Sequence, residues 1–339
     1  MRVLVTGGGG YIGSNLVENL IHSGHHVTVV DRMFFGDGSL LPFNGLSQFQ
    51  LLRVDAREIP GELFGDFDAV CDLVSLSNDP SGDLNPKLTD EINHVSRART
   101  AKLAKEMGVK RYILWSSCSV YGAGDSFNLD ENSSLNPLTS YSRASLEAER
   151  AVLPLTSEDF AVTVFRNATV YGLSRRMRFD LVVNLMVATA FETGKITVSG
   201  GGRQWRPLVH VRDISRAALK VLSCNANLVS GQIFNVGSEN VQISSLAYRV
   251  REALKIPCEV IHIEDDADKR NYHVSFTKIQ EVLDFRPSET IELGAVEIYQ
   301  ALAKGICSRD DTTSTLKWYQ RLIEAENLYR RFNLNGSIF

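Results

Sequence analysis

Apolar positions in the first half of the chain follow two periods that alternate. Short runs of β-branched and other apolar residues are typical of buried strands, and apolar residues spaced three and four apart are typical of helices. Strands that alternate with helices indicate a doubly wound α/β fold, a parallel sheet with helices on both faces and ligands at the carboxyl ends of the strands. The pattern predicts strands at 3–5, 25–30, 49–54, 69–75, 111–116 and 162–166, and helices at 12–21, 90–107 and 140–152.

The pattern changes from about Gly172 onward. A glycine turn at 200–202 interrupts it, and neither a repeat nor a low-complexity linker separates the two halves. We therefore expect a smaller α/β lobe that is interleaved with the first. The predicted elements are helices at 179–192, 214–224, 246–254 and 278–283, a strand at 233–236, and one amphipathic helix within 312–339. In that last helix Trp318 and Tyr319 are candidates for packing on the body or on a second subunit, and we favour the body.

The first strand runs into a glycine-rich loop, Thr6 to Gly13, at the start of a helix. Glycines let the backbone approach a pyrophosphate closely, and the helix start offers unpaired N–H groups to it. Asp31 ends the second strand, where an acid accepts the ribose hydroxyls of NAD and repels the 2′-phosphate of NADP. This order predicts a Rossmann-like NAD site, although Arg32 is compatible with NADP. The cofactor candidates are Gly7, Gly10, Tyr11, Ile12, Gly13, Asp31, Arg32, Asp55 and Ala56, with Asp55 expected at the adenine amine.

Composition excludes several classes of protein. The net charge is −4, so neither nucleic acid nor a membrane surface is indicated as a partner. The five cysteines are scattered without a CxxC pair, which argues against a zinc site and a disulfide framework and favours a reducing compartment. Without a leader pattern or a run long enough to span a bilayer, we expect a cytoplasmic protein. His210 lacks a partner histidine at metal spacing, so we expect a structural role for it, with Asp213 capping the helix that follows.

Several motifs in order carry a resemblance. They are the Thr6–Gly13 run, Ser117 ahead of Val120-Tyr121-Gly122, Tyr141 at a helix start, Arg166 ahead of Val170-Tyr171-Gly172, and Arg206 ahead of His210-Val211-Arg212-Asp213. Together they resemble the extended short-chain dehydrogenase/reductases of the nucleotide-sugar epimerase/dehydratase family, to about Pro287. The resemblance implies that Ser117 and Tyr141 hydrogen-bond the sugar hydroxyl that is oxidised, with Tyr141 as the base.

The sequence departs from this family at one catalytic position. A tyrosine is a poor base at neutral pH, and the family lowers its pKa with a lysine four residues later, where this chain has Ser145. Three explanations of the missing lysine stay open. In the first, which we favour, the nicotinamide and a water held by Ser145 activate Tyr141. In the second, the Arg143 side chain takes the place of the lysine, and in the third, the redox step is weak or lost.

The two residues after Ser117 bear on the type of reaction. Dehydratases of the family resemble one another in having Asp-Glu there, whereas this chain has Cys118-Ser119, which disfavours ordinary dehydration. Cys118 is a candidate base if its pKa is lowered, and otherwise a small buried filler, which we favour.

The resemblance also implies a substrate site. It assigns Arg206 to the diphosphate of a nucleoside-diphosphate sugar, with Arg270 as a second candidate or a surface arginine. Arg176 and Arg178 add positive potential at the mouth of the site or are solvated, and Asn78 faces the site or only forms a turn. The substrate-binding candidates are Asn78, Ser119, Thr169, Arg178, Arg206 and Arg270.

These points predict an NAD-dependent epimerase that acts on a nucleoside-diphosphate sugar through a transient keto sugar. A ketoreductase or a dehydratase is the alternative, and a catalytically weak protein that binds NAD and a sugar nucleotide is an alternative of another class. We expect no metal, and a homodimer paired through helices 90–107 and 140–152, which match the helices that pair subunits in this family. The expected domains are a cofactor domain at 1–170 that also receives roughly 205–237, a substrate lobe at 171–204 and 238–310, and a helical tail at 311–339.

Overall fold

The computed structural model describes residues 1–122, 127–263, 271–334 and 336. Its main sheet has seven parallel strands in the order β10-β6-β5-β4-β1-β2-β3, which is the doubly wound arrangement that the sequence predicts. These strands are β1 (Arg2–Thr6), β2 (His26–Val30), β3 (Phe49–Leu52), β4 (Ala69–Asp72), β5 (Arg111–Ser117), β6 (Ala161–Asn167) and β10 (Gln232–Val236).

Two small sheets accompany the main one. One has the order β11-β9-β7, and the other pairs β12 with β8 in parallel. Their strands are β7 (Thr169–Tyr171), β8 (Lys195–Ser199), β9 (Trp205–His210), β11 (Glu239–Gln242) and β12 (Glu259–Ile263).

Helices connect and cover these sheets. They are α1 (Tyr11–His22), α2 (Asp79–Gly82), α3 (Pro86–Asp90), α4 (Ser96–Glu106), α5 (Ser140–Val152), α6 (Val182–Thr193), α7 (Val211–Ser223), α8 (Ala226–Val229), α9 (Ile243–Leu254), α10 (Thr277–Leu283), α11 (Ile291–Ala303) and α12 (Thr315–Phe332). Within the described part of the chain, every helix is too short or too polar to cross a bilayer.

The main sheet separates two apolar cores. In β1, Val3 and Val5 belong to one core and Leu4 to the other, because successive side chains of a strand point to opposite faces. Leu16 of α1 belongs to the first core and Ala148 of α5 to the second. The carboxyl ends of the strands are thereby left at one edge, where loops gather.

Some predicted boundaries and contacts are wrong. The predicted helix 90–107 is divided, since α3, a π-helical turn at Glu91–Val95 and α4 follow one another. The predicted helix 179–192 begins only at Val182. Asp213 is not the cap of α7: His210 caps it, and Asp213 instead accepts hydrogen bonds from the backbone N–H groups of Ser288 and Glu289, at 3.1 and 3.0 Å.

Candidate active site

A cavity lies at the carboxyl ends of the main strands. It is lined by one residue at or just beyond the end of each of five strands. These residues are Gly7 after β1, Asp31 after β2, Leu73 after β4, Ser117 at the end of β5 and Asn167 at the end of β6. The predicted site residues that line it are Gly7, Gly10, Tyr11, Ile12, Gly13, Asp31, Arg32, Asp55, Ala56, Asn78, Ser117, Ser119, Tyr141, Thr169 and Arg178. Ser145, Cys118 and Arg206 are not among its lining residues, and Arg270 lies outside the described residues.

The glycine loop has the shape that a dinucleotide requires. Gly7 has φ +70°, and a Cβ there would lie 2.9 Å from the backbone of Leu73 and Val74. A Cβ on Gly13 would lie 2.3 Å from the carbonyl oxygen of Gly7. Gly10 precedes α1 and brings no side-chain cap, so the first N–H groups of the helix stay available to an anion at the cavity.

The acids expected at the adenosine end are held in place by hydrogen bonds. The Asp31 carboxylate accepts the backbone N–H groups of Gly9 and Met33 at 2.9 and 2.7 Å, and burial raises the pKa of this carboxyl. Asp55 binds the side chains of Arg57 and Arg32, and the Arg57 side chain lowers the pKa of Asp55 to about 2. Arg32 is thus paired with Asp55, and both line the cavity. The role of Asp55 at the adenine amine stays a prediction.

Ser117 and Tyr141 both line the cavity, and the Ser117 hydroxyl is close enough to the Tyr141 phenol to act on its pKa. Burial raises the pKa of Tyr141, and the Asp79 carboxylate raises it further, whereas the Ser117 hydroxyl, Arg97 and Arg178 act in the opposite direction. The phenol therefore holds its proton more firmly than a free tyrosine does, and positive charge from a bound ligand would help it to lose this proton.

The start of α5 is fixed, and this fixes Tyr141. The Thr139 side chain caps the helix and also donates a hydrogen bond to Asp79, and Asp83 accepts the N–H of Ser140 at 3.0 Å. Gly82 leaves room for the tyrosine, because a Cβ there would lie 2.9 Å from the Cβ of Tyr141. Tyr141 is thus held by a helix start that these contacts fix.

Ser145 does not face the cavity. Its hydroxyl donates a hydrogen bond of 2.9 Å to the carbonyl of Tyr141, one turn earlier in the same helix, and the residue is buried. Arg143 is exposed and donates to the carbonyl of Leu138 and the hydroxyl of Ser140. The structure therefore does not support the catalytic role predicted for Ser145, because its hydroxyl is directed to the backbone of its own helix and not to the cavity.

Cys118 and Ser119 differ in placement. Cys118 is buried outside the cavity wall, its thiol donates to the carbonyl of Arg166, and burial raises the pKa of this thiol. The role of Cys118 as a base is therefore corrected to that of a buried filler. Ser119 lines the cavity, and its buried hydroxyl has no hydrogen-bond partner among the described residues, so it is available to a ligand.

Arg178 and Asn78 form one network around Asp180. The Arg178 guanidinium pairs with both carboxylate oxygens of Asp180, at 3.1 and 2.7 Å, and Asn78 donates to the same carboxylate at 2.8 Å. Arg178 is 8% exposed, so the alternative that it is solvated is wrong. Asn78 has φ +80°, accepts the N–H of Ser81 and lines the cavity, so it makes the turn and faces the site at once.

The remaining substrate candidates lie apart. Thr169 of β7 lines the cavity directly. Arg206 of β9 is buried next to the wall, with its guanidinium 5.7 Å from the ring centroid of Tyr272, and Tyr272 lines the cavity. Arg206 is thus one side chain removed from the cavity, and its contact with a diphosphate stays a prediction.

Sequence reasoning missed one wall of the site. Phe34 and Phe35 after β2 line the cavity together with Tyr319 of α12. Trp318 and Tyr319 pack on the body, as expected: Trp318 donates its indole N–H to the carbonyl of Phe34 at 2.6 Å. The available signal was a pair of aromatic residues in each segment, but no periodicity connects segments so far apart in the chain.

Comparisons with known proteins agree with this architecture. A family model described as the NAD dependent epimerase/dehydratase family matches residues 3–237. UDP-glucuronic acid decarboxylase 1 of Xenopus tropicalis is 27% identical over 304 residues, which cover 86% of this chain and 70% of that protein. UDP-N-acetyl-alpha-D-glucosaminuronate decarboxylase of Bacillus cytotoxicus is 25% identical over 320 residues, which cover 88% of this chain and 97% of that protein.

Solved structures are similar over most of the chain. UDP-glucuronic acid 4-epimerase from Bacillus cereus, in complex with UDP-glucuronic acid and NAD, has a TM-score of 0.80 at 22% identity and covers 90% of this chain and 99% of its own. MoeE5 in complex with UDP-glucuronic acid and NAD has a TM-score of 0.79 at 25% identity and covers 90% of this chain and all (100%) of its own.

Proposed function

Since this chain belongs to the NAD-dependent epimerase/dehydratase family, we propose that it is an epimerase that inverts one carbon of a nucleoside-diphosphate sugar. The observation that carries the proposal is that Ser117 and Tyr141 line the same cavity as the glycine loop and Asp31. The cofactor is NAD, and the glycine loop and Asp31 fit it. When bound, NAD takes up a hydride from the sugar carbon and returns it.

Tyr141 and Ser117 manage the proton in this mechanism. The sugar hydroxyl would donate to the phenolate oxygen of Tyr141 and lose its proton to it as the carbon becomes a ketone. The Ser117 hydroxyl keeps the phenol oriented and stabilises its deprotonated form. After the keto sugar has rotated in the cavity so that its opposite face is reduced, Tyr141 returns the proton to the inverted alcohol. The enzyme therefore ends in the state in which it began.

The residues beside Ser117 support epimerisation over dehydration. Dehydration needs an acid that protonates the departing hydroxyl and a base that takes a proton from the neighbouring carbon. At these positions Cys118 is buried behind the wall and Ser119 offers only a neutral hydroxyl. A transient ketone that is reduced again requires neither group.

Decarboxylation of a sugar acid is the second candidate. The relatives named as decarboxylases favour it, and so does Arg178, a buried cation of the cavity wall. A uronic acid oxidised at the carbon two bonds from its carboxyl carbon becomes a β-keto acid, which loses carbon dioxide and leaves an enolate. The enolate takes a proton at the carbon that carried the carboxylate, and the ketone is then reduced again. Both reactions therefore share the oxidation step at Tyr141. With a sugar acid as substrate, they differ in whether the keto acid is reduced with its carboxylate in place or loses the carboxylate first.

One experiment decides among these reactions. Purified protein is incubated with NAD, and separately with NADH or NADPH, and a panel of neutral, acidic and keto UDP- and dTDP-sugars. Products are followed by NMR and by absorbance at 340 nm. An isomeric product without net absorbance change supports epimerisation. Release of carbon dioxide would indicate decarboxylation. Net consumption of NAD(P)H would indicate a ketoreductase, and loss of water would indicate a dehydratase. Binding of both ligands without turnover would overturn all of these and leave a binding protein.

We also propose that the protein is a cytoplasmic homodimer. Helices α4 and α5 pack side by side over one face of the sheet. Their outer side is exposed, for example at Arg143 of α5 and at Val95, the last residue of the π-helical turn before α4, which is 51% exposed. Light scattering during size-exclusion chromatography should give twice the mass of one chain. A Val95→Arg variant should shift the protein toward the monomer, and a monomeric parent protein would contradict the proposal.

A further inference from the structure

The C-terminal helix forms the outer wall of the cofactor end of the cavity. Helix α12 lies beyond the residues that the family model matches. Besides the Trp318 hydrogen bond to Phe34, the ring of Tyr319 lies 6.3 Å from that of Phe34 and 5.6 Å from that of Phe35. Tyr319 is 9% exposed and lines the cavity. The helix thus covers the segment that follows β2, next to Asp31.

The same helix holds Arg176, a cation buried in the wall. Its Nη2 donates to the hydroxyl of Thr315 at 3.0 Å and to the carbonyl of Thr312 at 3.4 Å, and its guanidinium carbon lies 3.6 Å from the ring centroid of Phe35. Arg176 is 7% exposed and lines the cavity. Its Nε is buried and has no hydrogen-bond partner among the described residues. A buried charged donor left without a partner is costly, so a ligand that accepts from it gains affinity.

Two electrostatic neighbours locate Arg176 along the cofactor site. It interacts with Tyr11, the first residue of α1, and with Asp31 at the end of β2. In a dinucleotide fold the diphosphate lies at that helix start and the adenosine ribose at that acid. Arg176 thus lines the cavity within electrostatic range of both positions, and its unpartnered Nε suits an anionic oxygen.

We propose that Arg176 binds the diphosphate of the dinucleotide, and that helix α12 both positions Arg176 and closes the site so that NAD stays bound between turnovers. The proposal rests on the cofactor part of the proposed function and not on the sugar chemistry. Retention suits an epimerase, because the reaction regenerates its cofactor in place.

The phosphate contact is tested with nucleotide ligands alone. Calorimetry compares adenosine, ADP and NAD on the parent protein, on Arg176→Gln and on the matched control Arg175→Gln, whose arginine is paired with Glu18 outside the cavity. Arg176→Gln should weaken ADP and NAD by about tenfold or more and leave adenosine unchanged. Unchanged affinity for ADP, or an equal loss for adenosine and ADP, would overturn the phosphate role in favour of a purely structural one.

The closing role is tested by release of NAD. Tyr319→Ala should speed NAD dissociation and lower the NAD that co-purifies with the protein, whereas Tyr329→Ala, in an exposed part of the same helix, should do neither. The melting temperature without nucleotide is measured for both, so that unfolding is recognised, and Trp318→Phe serves as the milder variant. If NAD leaves Tyr319→Ala and Trp318→Phe as slowly as the parent, the helix does not close the site. Because no sugar is present, failure here is distinct from failure of the epimerase proposal.

Discussion

Arg166 and Glu149 form an ion pair that is closed off from solvent. The Nη2 of Arg166 lies 2.7 Å from Oε2 of Glu149, and its Nε lies within 3.2 Å of both carboxylate oxygens. Both side chains are 3% exposed. Because Arg166 belongs to β6 and Glu149 to α5, the pair ties the helix that carries Tyr141 to the main sheet.

Breaking this pair should destabilise the protein strongly. Glu149→Gln leaves the Arg166 charge buried without its counterion, so the free energy of unfolding should fall by about 3–5 kcal/mol in urea denaturation. The matched control is the exposed pair of Glu147 and Arg150 on the same helix, where Glu147→Gln should cost at most about 1 kcal/mol. Equal losses in the two variants would show that the buried pair is not an anchor of α5.

Tyr141→Phe should remove the base without disturbing the fold. The ring stays and only the hydroxyl is lost, so kcat should fall by about 10²–10⁴-fold with the sugar nucleotide and NAD still bound. Steady-state rates and calorimetric titrations measure the two effects separately. Tyr248→Phe, on the exposed side of α9, is the control and should keep the parent rate. Turnover by Tyr141→Phe at the parent rate would exclude Tyr141 as the base.

The sequence predicts the first half of the fold well, for a physical reason. Buried parallel strands such as β6, whose residues are all buried, give continuous apolar runs, and the amphipathic helix α5 was predicted with its observed bounds, Ser140–Val152. The short strands β8, β11 and β12 pair only with each other or with one neighbour, and their patterns were too brief to detect.

The cavity was predictable only where a motif specifies a backbone shape. The glycine loop and the position of Tyr141 follow from local sequence, so they could be found. The direction of a small side chain could not be predicted in this way. The Ser145 hydroxyl donates to a carbonyl of its own helix, and the Cys118 thiol donates to the carbonyl of Arg166 and does not line the cavity. The contact of Arg176 with Thr315 joins residues separated by 139 positions, and nothing local in either segment indicates it.

A lysine at position 145 should change the pH dependence of the reaction. Burial raises the pKa of Tyr141, so below that pKa the deprotonated fraction, and with it the rate of oxidation, should rise with pH. An ammonium group one turn away would lower the pKa, so Ser145→Lys should shift the pH–rate profile toward lower pH. Ser145→Ala, which loses only a bond to a backbone carbonyl, should leave the profile in place. An unshifted profile in a folded Ser145→Lys variant would mean that position 145 does not reach the phenol.

Gly13→Ala should abolish the cofactor site. The new Cβ would lie 2.3 Å from the carbonyl oxygen of Gly7, which forces the loop away from the path of the diphosphate. We expect NAD affinity to fall by at least about 100-fold, as measured by calorimetry. Gly38→Ala is the control, because a Cβ there meets no atom within 4 Å and Gly38 has no positive φ. Parent-like affinity in Gly13→Ala would contradict the tight loop.

The ion pairs of the Asp55 carboxylate should stabilise the protein near neutral pH, and this contribution should be lost in acid. Its pKa is lowered from 3.8 to about 2 by the Arg57 side chain, so its stabilising contribution is complete above about pH 4 and is lost as the pH falls toward 2. Asp55→Asn removes this titration. The difference between urea midpoints at pH 5 and pH 3 should therefore be smaller in Asp55→Asn than in the parent protein, whereas Asp66→Asn, at an exposed ion pair with Arg2, should keep the parent difference. If Asp55→Asn and the parent lose the same stability on acidification, the two arginines do not stabilise the Asp55 carboxylate in the way that the structure describes.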